Sequence, residues 1–167
     1  VIWLEKPSAY SCKDIKKMIN LSKKGTEVWV NYFRKHLNAY IELKKKIKII
    51  GDIQHVNCYY TKGLQHNGSH LLDLIIFLFG SIIDWEVLKK VERKSFLDID
   101  LFLTTKNTKI FIKALDFQNF EIMEMDIVGT KGRFIVEERG SKIKYYSATE
   151  SKQYKGYKIL KKNDINK

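Results

Sequence analysis

The stretch "QHNGSHLLDLIIFLFG", residues 65 to 80, joins a short polar segment to the most apolar run of the chain. Apolar residues fill the run from Leu71 to Phe79 except at Asp73, and Gly80 follows it. A helix that is apolar nearly all round is buried on most sides, and a glycine directly after it is a common helix end. We therefore predict a buried helix from Ser69 to Phe79 that holds the polar segment in place.

The residues upstream predict the last part of an α/β unit. Val1 to Leu4 is a short apolar strand that stops at Glu5-Lys6-Pro7, because proline ends a strand or begins a turn. Ser11 and Asp14 form the capping box of a helix, and the alternation from Glu27 to Phe33 predicts a second strand. Strand, helix and strand in this order are typical of a parallel sheet.

The remainder predicts an α+β domain. A helix over residues 38–50 and a strand over 53–60 precede the apolar helix, and six strand-like segments separated by turn signals follow it. These segments cover 84–95, 97–105, 109–117, 121–128, 133–138 and 142–147. We predict an antiparallel meander, and thus an open, mainly antiparallel β-sheet covered on one face by helices.

The other face of such a sheet needs a partner. Phe102, Phe111 and Ile112 suggest that it is apolar, which predicts a homodimer or a higher oligomer. Residues 150–167 are polar and rich in lysine, so we expect a loose tail. The predicted domains are therefore 1–35, the end of the α/β unit; 36–149, the α+β domain; and the tail 150–167.

Composition excludes several classes of protein. The 167 residues are 44% hydrophobic and carry a net charge of +12, which predicts a globular core with a basic surface. The charge comes mostly from scattered lysines without a nucleic-acid-binding motif, so we expect no nucleic-acid partner. The longest apolar run is far shorter than the roughly 20 residues of a membrane span, so we expect no membrane partner. Cys12 and Cys58 lack a metal-binding spacing, which favours the cytoplasm.

Several residues are candidates for chemistry. Lys6 ends a strand, where α/β proteins gather ligands, but on this tripeptide alone an ordinary surface Glu-Lys pair is the favoured interpretation. We predict that Asn67 or Ser69 caps the apolar helix. His70 falls in the first turn of this helix, where the helix dipole favours a neutral imidazole, and Asp73 lies one turn later. A structural role for His70, closing the helix start by a hydrogen bond, remains open.

A metal site is a further alternative at the same place. His66, His70 and Asp73 would share one face if the helix began at His66. Gly68 argues against such an early start, and the glutamate of the H-E-x-x-H motif is absent. We expect no metal.

The ordered motifs resemble a known family. They are Glu5-Lys6-Pro7, "VWVNYFRK" from Val28, "GDIQHV" from Gly51, the stretch from His66 to Asp73 with its helix, and the hairpin from Gly129 to Gly132. Over about residues 1 to 147 this combination is similar to the glucose-fructose oxidoreductase / inositol dehydrogenase (Gfo/Idh/MocA) family.

The resemblance implies a fold and an activity. The fold would be the dihydrodipicolinate-reductase-like C-terminal domain, preceded by the end of a Rossmann domain. The activity would be hydride transfer between NAD or NADP and a secondary hydroxyl of a sugar, nucleotide sugar or cyclitol in a homodimer or tetramer. His70 and Lys6 would be catalytic, with His66 and Asp73 possible further members of that site. The other implied residues are Glu5, Lys6, Pro7, Asn31 and Arg34 for the cofactor and Tyr60, Lys62 and Asn67 for the substrate.

The sequence departs from the family pattern at two points. His66 stands where the family has an aspartate, and no G-x-G-x-x-G fingerprint is present. We therefore expect the fingerprint to lie upstream of Val1 and the fragment alone to be inactive. A non-catalytic relative that serves as an assembly or sensing module is the alternative function.

Overall fold

The computed structural model describes residues 1–9, 11–94, 96–116 and 119–163, and it divides the chain into two compact units. Unit 1 is Val1–Arg34 and unit 2 is Lys35–Lys167. Among the described residues, we find no helix with the length and apolar character that a membrane crossing requires.

Unit 1 is a β-α-β unit, as predicted. Strand β1 (Ile2–Leu4) and strand β2 (Val28–Val30) pair in parallel, with helix α1 (Cys12–Ser22) between them in sequence. The amide of Asp14 donates to the hydroxyl of Ser11 at 3.1 Å, which confirms the capping box. β2 is shorter than the predicted strand, because the chain turns into a 3₁₀ helix at Phe33–His36.

Unit 2 is an α+β fold whose first half follows the sequence pattern closely. Helix α2 (Asn38–Lys46) continues as a 3₁₀ turn (Ile47–Ile50), so the predicted helix over 38–50 changes type near its end. Strand β3 (Ile53–Tyr60) and helix α3 (Ser69–Phe79) have the predicted bounds. Among the buried residues of α3 are Leu71, Leu74, Ile75 and Leu78.

The six later segments are strands too. They are β4 (Ile82–Glu92), β5 (Leu97–Thr105), β6 (Lys109–Ala114), β7 (Met123–Gly129), β8 (Gly132–Glu137) and β9 (Lys142–Glu150). The predicted meander is wrong at one place, because β3 lies between β6 and β7 and pairs in parallel with β6. The reason is burial: Val56, Cys58 and Tyr60 on β3 are fully covered, which requires a central position in the sheet.

The C-terminal residues also differ from the expected loose tail. Strand β10 (Lys158–Asn163) pairs antiparallel with β9 and forms one edge of an eight-stranded sheet, with β4 at the other edge. Lysine-rich strands suit sheet edges, because their charges stay hydrated and discourage further pairing.

The core lies on the sheet face that α2 and α3 share. Leu101 and Ile112 are directly paired and buried, whereas the neighbouring pair Phe102 and Phe111 points to the open face. Ile112 therefore belongs to the core, which corrects its assignment to the open face. The reason is the two-residue period of a strand, which places adjacent residues on opposite faces.

Candidate functional site

In unit 1, three of the predicted residues lie at the carboxyl ends of the two parallel strands: Glu5, Lys6 and Asn31. Asn31 directly follows β2, and its amide hydrogen is donated to the carbonyl of Leu4 at 2.8 Å. The side chain of Asn31 donates to the carboxylate of Glu5 at 2.7 Å. The Lys6–Pro7 peptide bond is cis. The strand ends thus hold Glu5 and Asn31 as a pair, with Lys6 next in the chain.

The electrostatics of this group act on Lys6. Burial is the main cause that lowers the pKa of the Lys6 ammonium, and the positive charge of Arg34 lowers it further. The carboxylate of Glu5 opposes both effects more weakly. A lysine with a lowered pKa is better suited to proton transfer than an ordinary surface lysine. Pro7 is exposed, and its ring nitrogen carries no hydrogen to donate.

In unit 2, the polar segment before α3 is itself helical. A π-helical turn, Leu64–Gly68, leads directly into α3, and none of the described side chains forms a capping hydrogen bond at the helix start. This corrects two expectations: the helical backbone begins before Gly68, and neither Asn67 nor Ser69 is the cap. The Ser69 hydroxyl instead donates to the carbonyl of His66 at 2.9 Å.

Gly68 allows this early start because it lets the π-helical turn pack closely against Tyr60 of β3. A β-carbon added there would lie 3.1 Å from the Tyr60 ring and 3.0 Å from the Leu64 side chain. Such contacts are tighter than ordinary van der Waals packing, so a larger residue would push the turn away from β3. The glycine of the motif thus sets how closely the turn approaches the sheet.

The turn places its polar side chains at different depths. Asn67 and His70 are buried, with 6% and 7% of their surfaces exposed, whereas His66 is exposed. The ring Nδ1 of His66 and the amide oxygen of Asn67 are 3.2 Å apart. Within the described ranges, no group of three or more His, Cys, Asp or Glu residues is arranged to hold a metal ion.

Asp73 has a defined partner that the sequence pattern did not indicate. Its carboxylate accepts a hydrogen bond from the Lys35 ammonium at 2.9 Å, and both side chains are largely shielded. Lys35 ends the "VWVNYFRK" motif, and that position is the one signal that marks it. Asp73 therefore holds α3 to the segment that begins unit 2.

Two predicted substrate residues, one at the end of β3 and one just after it, differ in burial. Tyr60 is fully buried, and its hydroxyl donates to the carbonyl of Ile99 at 2.9 Å. Lys62 is half-exposed, and its ammonium pairs with the carboxylate of Glu121. Tyr60 thus has a structural role in the core, whereas Lys62 lines an open cavity. Sequence reasoning missed Glu121, because the predicted strand 121–128 that begins with it carries no motif; in the structure Glu121 precedes β7.

Comparisons with known proteins support the fold at the level of structure. A scan against protein-family models finds no match, and a search of curated proteins finds none. A levoglucosan dehydrogenase, in complex with NADH and L-sorbose, superposes with a TM-score of 0.75 at 16% identity over 96% of this chain and 55% of that one. An Agrobacterium radiobacter oxidoreductase, in complex with NAD+, L-tartaric acid and magnesium, gives 0.69 at 15% identity over 98% and 54%.

A third match has the same extent. An NAD binding oxidoreductase from Klebsiella pneumoniae gives a TM-score of 0.69 at 16% identity, covering 96% of this chain and 53% of that one. The chain spans about half the length of each of these three structures. It therefore has the α+β fold found in the C-terminal domain of these oxidoreductases.

Proposed function

We propose that this chain is the substrate-binding and oligomerisation domain of an NAD(P)-dependent oxidoreductase. The reaction transfers hydride between the nicotinamide and a secondary hydroxyl of a sugar, nucleotide sugar or cyclitol. The observation that carries the proposal is the match over 96% of the chain to a levoglucosan dehydrogenase bound to NADH. The sequence motifs that resemble the Gfo/Idh/MocA family support it independently.

The polar groups of unit 1 fit one part of a dinucleotide. Lys6, Asn31 and Arg34 supply ammonium, amide and guanidinium donors beside the carboxylate of Glu5. This donor set suits the hydroxyl and carboxamide groups of a nicotinamide riboside, which carry little charge. The pyrophosphate needs backbone amides at a helix start, and the chain lacks the glycine fingerprint for them. When bound, the nicotinamide accepts or gives up the hydride.

We assign proton transfer to His70. Its ring is buried at the start of α3, and the π-helical turn before it is packed against β3. A buried imidazole on a rigid element keeps its position when the hydroxyl of a substrate gives up a proton. Lys6 assists, because its lowered pKa makes the ammonium a better proton donor to the alkoxide oxygen.

Unit 2 also supplies the proposed substrate contacts. Asn67 is buried and precedes His70 by three residues, and Lys62 follows the carboxyl end of β3. Amide and ammonium groups both hydrogen-bond hydroxyls, which suits a polyhydroxylated substrate. His66 occupies the position of the family's usual aspartate and presents a ring nitrogen to Asn67. We propose that it orients the Asn67 amide.

The open sheet face is our proposed interface for a homodimer or tetramer. Phe102 and Phe111 form an edge-to-face pair on it, with ring centroids 5.7 Å apart. Asp126 and Arg133 form a bidentate pair on the same face, with contacts of 2.7 and 2.6 Å. Exposed aromatic rings beside charges that already have partners can be covered by a second copy without leaving an unpaired charge.

We also propose a cytoplasmic location and a small-molecule substrate. Cys12 and Cys58 are free thiols, one exposed and one buried, which suits a reducing compartment.

The experiment is a hydride-transfer assay on the full-length protein that contains this chain. NAD and NADP are each tested with levoglucosan, L-sorbose and a panel of sugars and cyclitols, and absorbance of the reduced nicotinamide is followed. We expect His70→Gln to lower turnover about a hundredfold or more, as the loss of a general base does. His55→Gln, an exposed histidine on β3, is the matched control and should keep the activity.

One outcome would replace the proposal. If the full-length protein binds NADH and is folded, yet transfers no hydride with any compound of the panel, the enzymatic assignment fails. The assembly or sensing module would then be the better description.

A further inference from the structure

The two edge strands of the eight-stranded sheet in unit 2 differ in charge. One edge is β10, which carries three lysines in six residues and no acidic residue. The other edge is β4, whose first part, residues 82–87, carries Asp84 and Glu86 and no basic residue. The sheet therefore has a basic border on one side and an acidic stretch on the other.

The charges on both edges lack ion-pair partners. On the inner strands, Lys113 and Lys144 each pair with a carboxylate of the neighbouring strand. On β10, by contrast, neither Lys161 nor Lys162 has a carboxylate partner among the described residues. On β4 the Asp84 carboxylate accepts a hydrogen bond from the adjacent Trp85 amide, and within the described ranges neither acid of β4's first part has a cationic partner. Both edges thus lack the cross-strand partners that the inner strands have.

Large apolar side chains are also exposed at these edges. Ile83 and Trp85 on β4 are 66% and 65% exposed, and Ile159 and Leu160 on β10 are 53% and 49% exposed. Each edge strand pairs with one neighbour, so half of its backbone hydrogen-bonding groups face outwards. Each edge therefore offers backbone groups, apolar side chains and charges to a further strand.

Charge decides which strand can be added to each edge. Two β10 strands side by side would bring lysines against lysines, and like charges on neighbouring strands repel. The acidic part of β4 offers the opposite charge, together with the exposed ring of Trp85. The basic edge of one copy is therefore complementary to the acidic edge of another copy.

Bulges limit which part of β4 can pair. The register shifts between Ile82 and Asp84 and again between Val87 and Lys89. A bulge bends its strand and interrupts the ladder, so residues 84–87 form a regular stretch between the two shifts. This stretch holds both acids and excludes the lysines that follow it. Two β4 strands would match opposite charges only by pairing across a bulge, which disfavours a symmetric β4 contact.

We propose that copies of this chain associate head to tail, with the β10 edge of one copy paired to residues 84–87 of the next. The lysines of β10 then face Asp84 and Glu86, and Trp85 gains an apolar neighbour. Because the contact joins two different surfaces, each copy can bind two neighbours. One pair of short strands is a small interface, so the association is weak and depends on concentration. This inference goes beyond the proposed function, whose interface is the open sheet face.

The test measures the mean mass of the 167-residue chain by sedimentation at protein concentrations up to about 0.5 mM, where weak contacts form. We expect the mass to rise with concentration, and to rise less at about 500 mM than at about 50 mM salt. Glu86→Lys and Lys162→Glu change exposed residues, and each should weaken the association about tenfold by replacing attraction with repulsion. An equimolar mixture of the two variants should associate again, because the unchanged β10 of one meets the unchanged β4 of the other.

The control is Lys106→Glu, which makes the same charge change at an exposed residue between β5 and β6 and should leave the association unchanged. Circular dichroism verifies that each variant is folded. A mass that does not rise with concentration, or that is insensitive to both edge variants, would overturn the inference. So would an effect of one edge variant alone, which indicates a symmetric contact, or a mixture that fails to associate. The hydride-transfer assay decides the proposed function separately, since it depends on His70 and not on the sheet edges.

Discussion

The hydroxyl of Tyr60 forms two hydrogen bonds with the backbone of Ile99. It donates to the Ile99 carbonyl and accepts from the Ile99 amide, each at 2.9 Å. β6 lies between their two strands and ends at Ala114, which pairs with Tyr60. One buried side chain therefore completes the hydrogen bonds of β5 where the intervening strand has ended.

Tyr60→Phe should destabilise unit 2 by about 1–3 kcal/mol, because it leaves buried backbone groups of Ile99 without a partner. Urea unfolding followed by circular dichroism measures the change. Tyr157→Phe removes the hydroxyl of an exposed tyrosine and is the matched control. Equal stability of the two variants would contradict the role assigned to Tyr60.

The same tyrosine predicts a pH dependence at alkaline pH. Burial is the main cause that raises the pKa of Tyr60 to about 12. An unfolded tyrosine loses its proton near pH ~10, so the unfolded chain deprotonates first. The contribution of the neutral phenol to stability is thus fully present below about pH 10 and is lost as the pH rises towards 12. The difference in unfolding free energy between wild type and Tyr60→Phe should narrow across that window; a constant difference would refute this.

Two ion pairs of equal length should differ in their effect on stability. Lys35–Asp73 and Lys45–Glu42 both have contacts of 2.9 Å, but the first side chains are 30% and 18% exposed and the second 67% and 44%. Shielding strengthens an ion pair and also makes an unpaired charge costly, so Lys35→Met should cost about 1 kcal/mol or more. Lys45→Met should cost almost nothing. If thermal unfolding ranks them in the reverse order, the anchoring role of Asp73 is wrong.

Gly129→Ala should be poorly tolerated, because a β-carbon at this position would lie 2.3 Å from the carbonyl oxygen of Ile50. Overpacking against backbone costs about 1–3 kcal/mol, since the backbone cannot move aside as a side chain can. Gly156→Ala is the control within unit 2: it has open space around it but a φ of 83°. We expect the first substitution to lower the unfolding midpoint in urea more than the second.

Part of the candidate site could be predicted from the sequence. The S-x-x-D box and the apolar run located helices α1 and α3, since capping and burial are local patterns. The motif Glu5-Lys6-Pro7 and the residues after β2 were predicted as one group, and Glu5 and Asn31 do form a hydrogen bond. The roles of Lys6 and His70 in catalysis stay predictions.

Other parts had no local signal. The cap of α3 was assigned to Asn67 or Ser69, because polar residues before an apolar helix usually serve as caps. The π-helical turn overrides that preference, since packing of Gly68 against Tyr60 lets the helical backbone start earlier. The pairing of Lys62 with Glu121 joins residues 59 positions apart, so no spacing rule indicates it.

The sequence by itself determined the order and type of nearly all elements, because capping, periodicity and turn residues act over a few neighbouring positions. The tertiary structure alone decided that β3 inserts between β6 and β7, that β10 joins the sheet, and that Lys62, Glu121 and Arg139 meet. These outcomes depend on which distant segments bury each other's surfaces and satisfy each other's charges. Such a choice is made by the whole chain at once, and local residue patterns do not contain it.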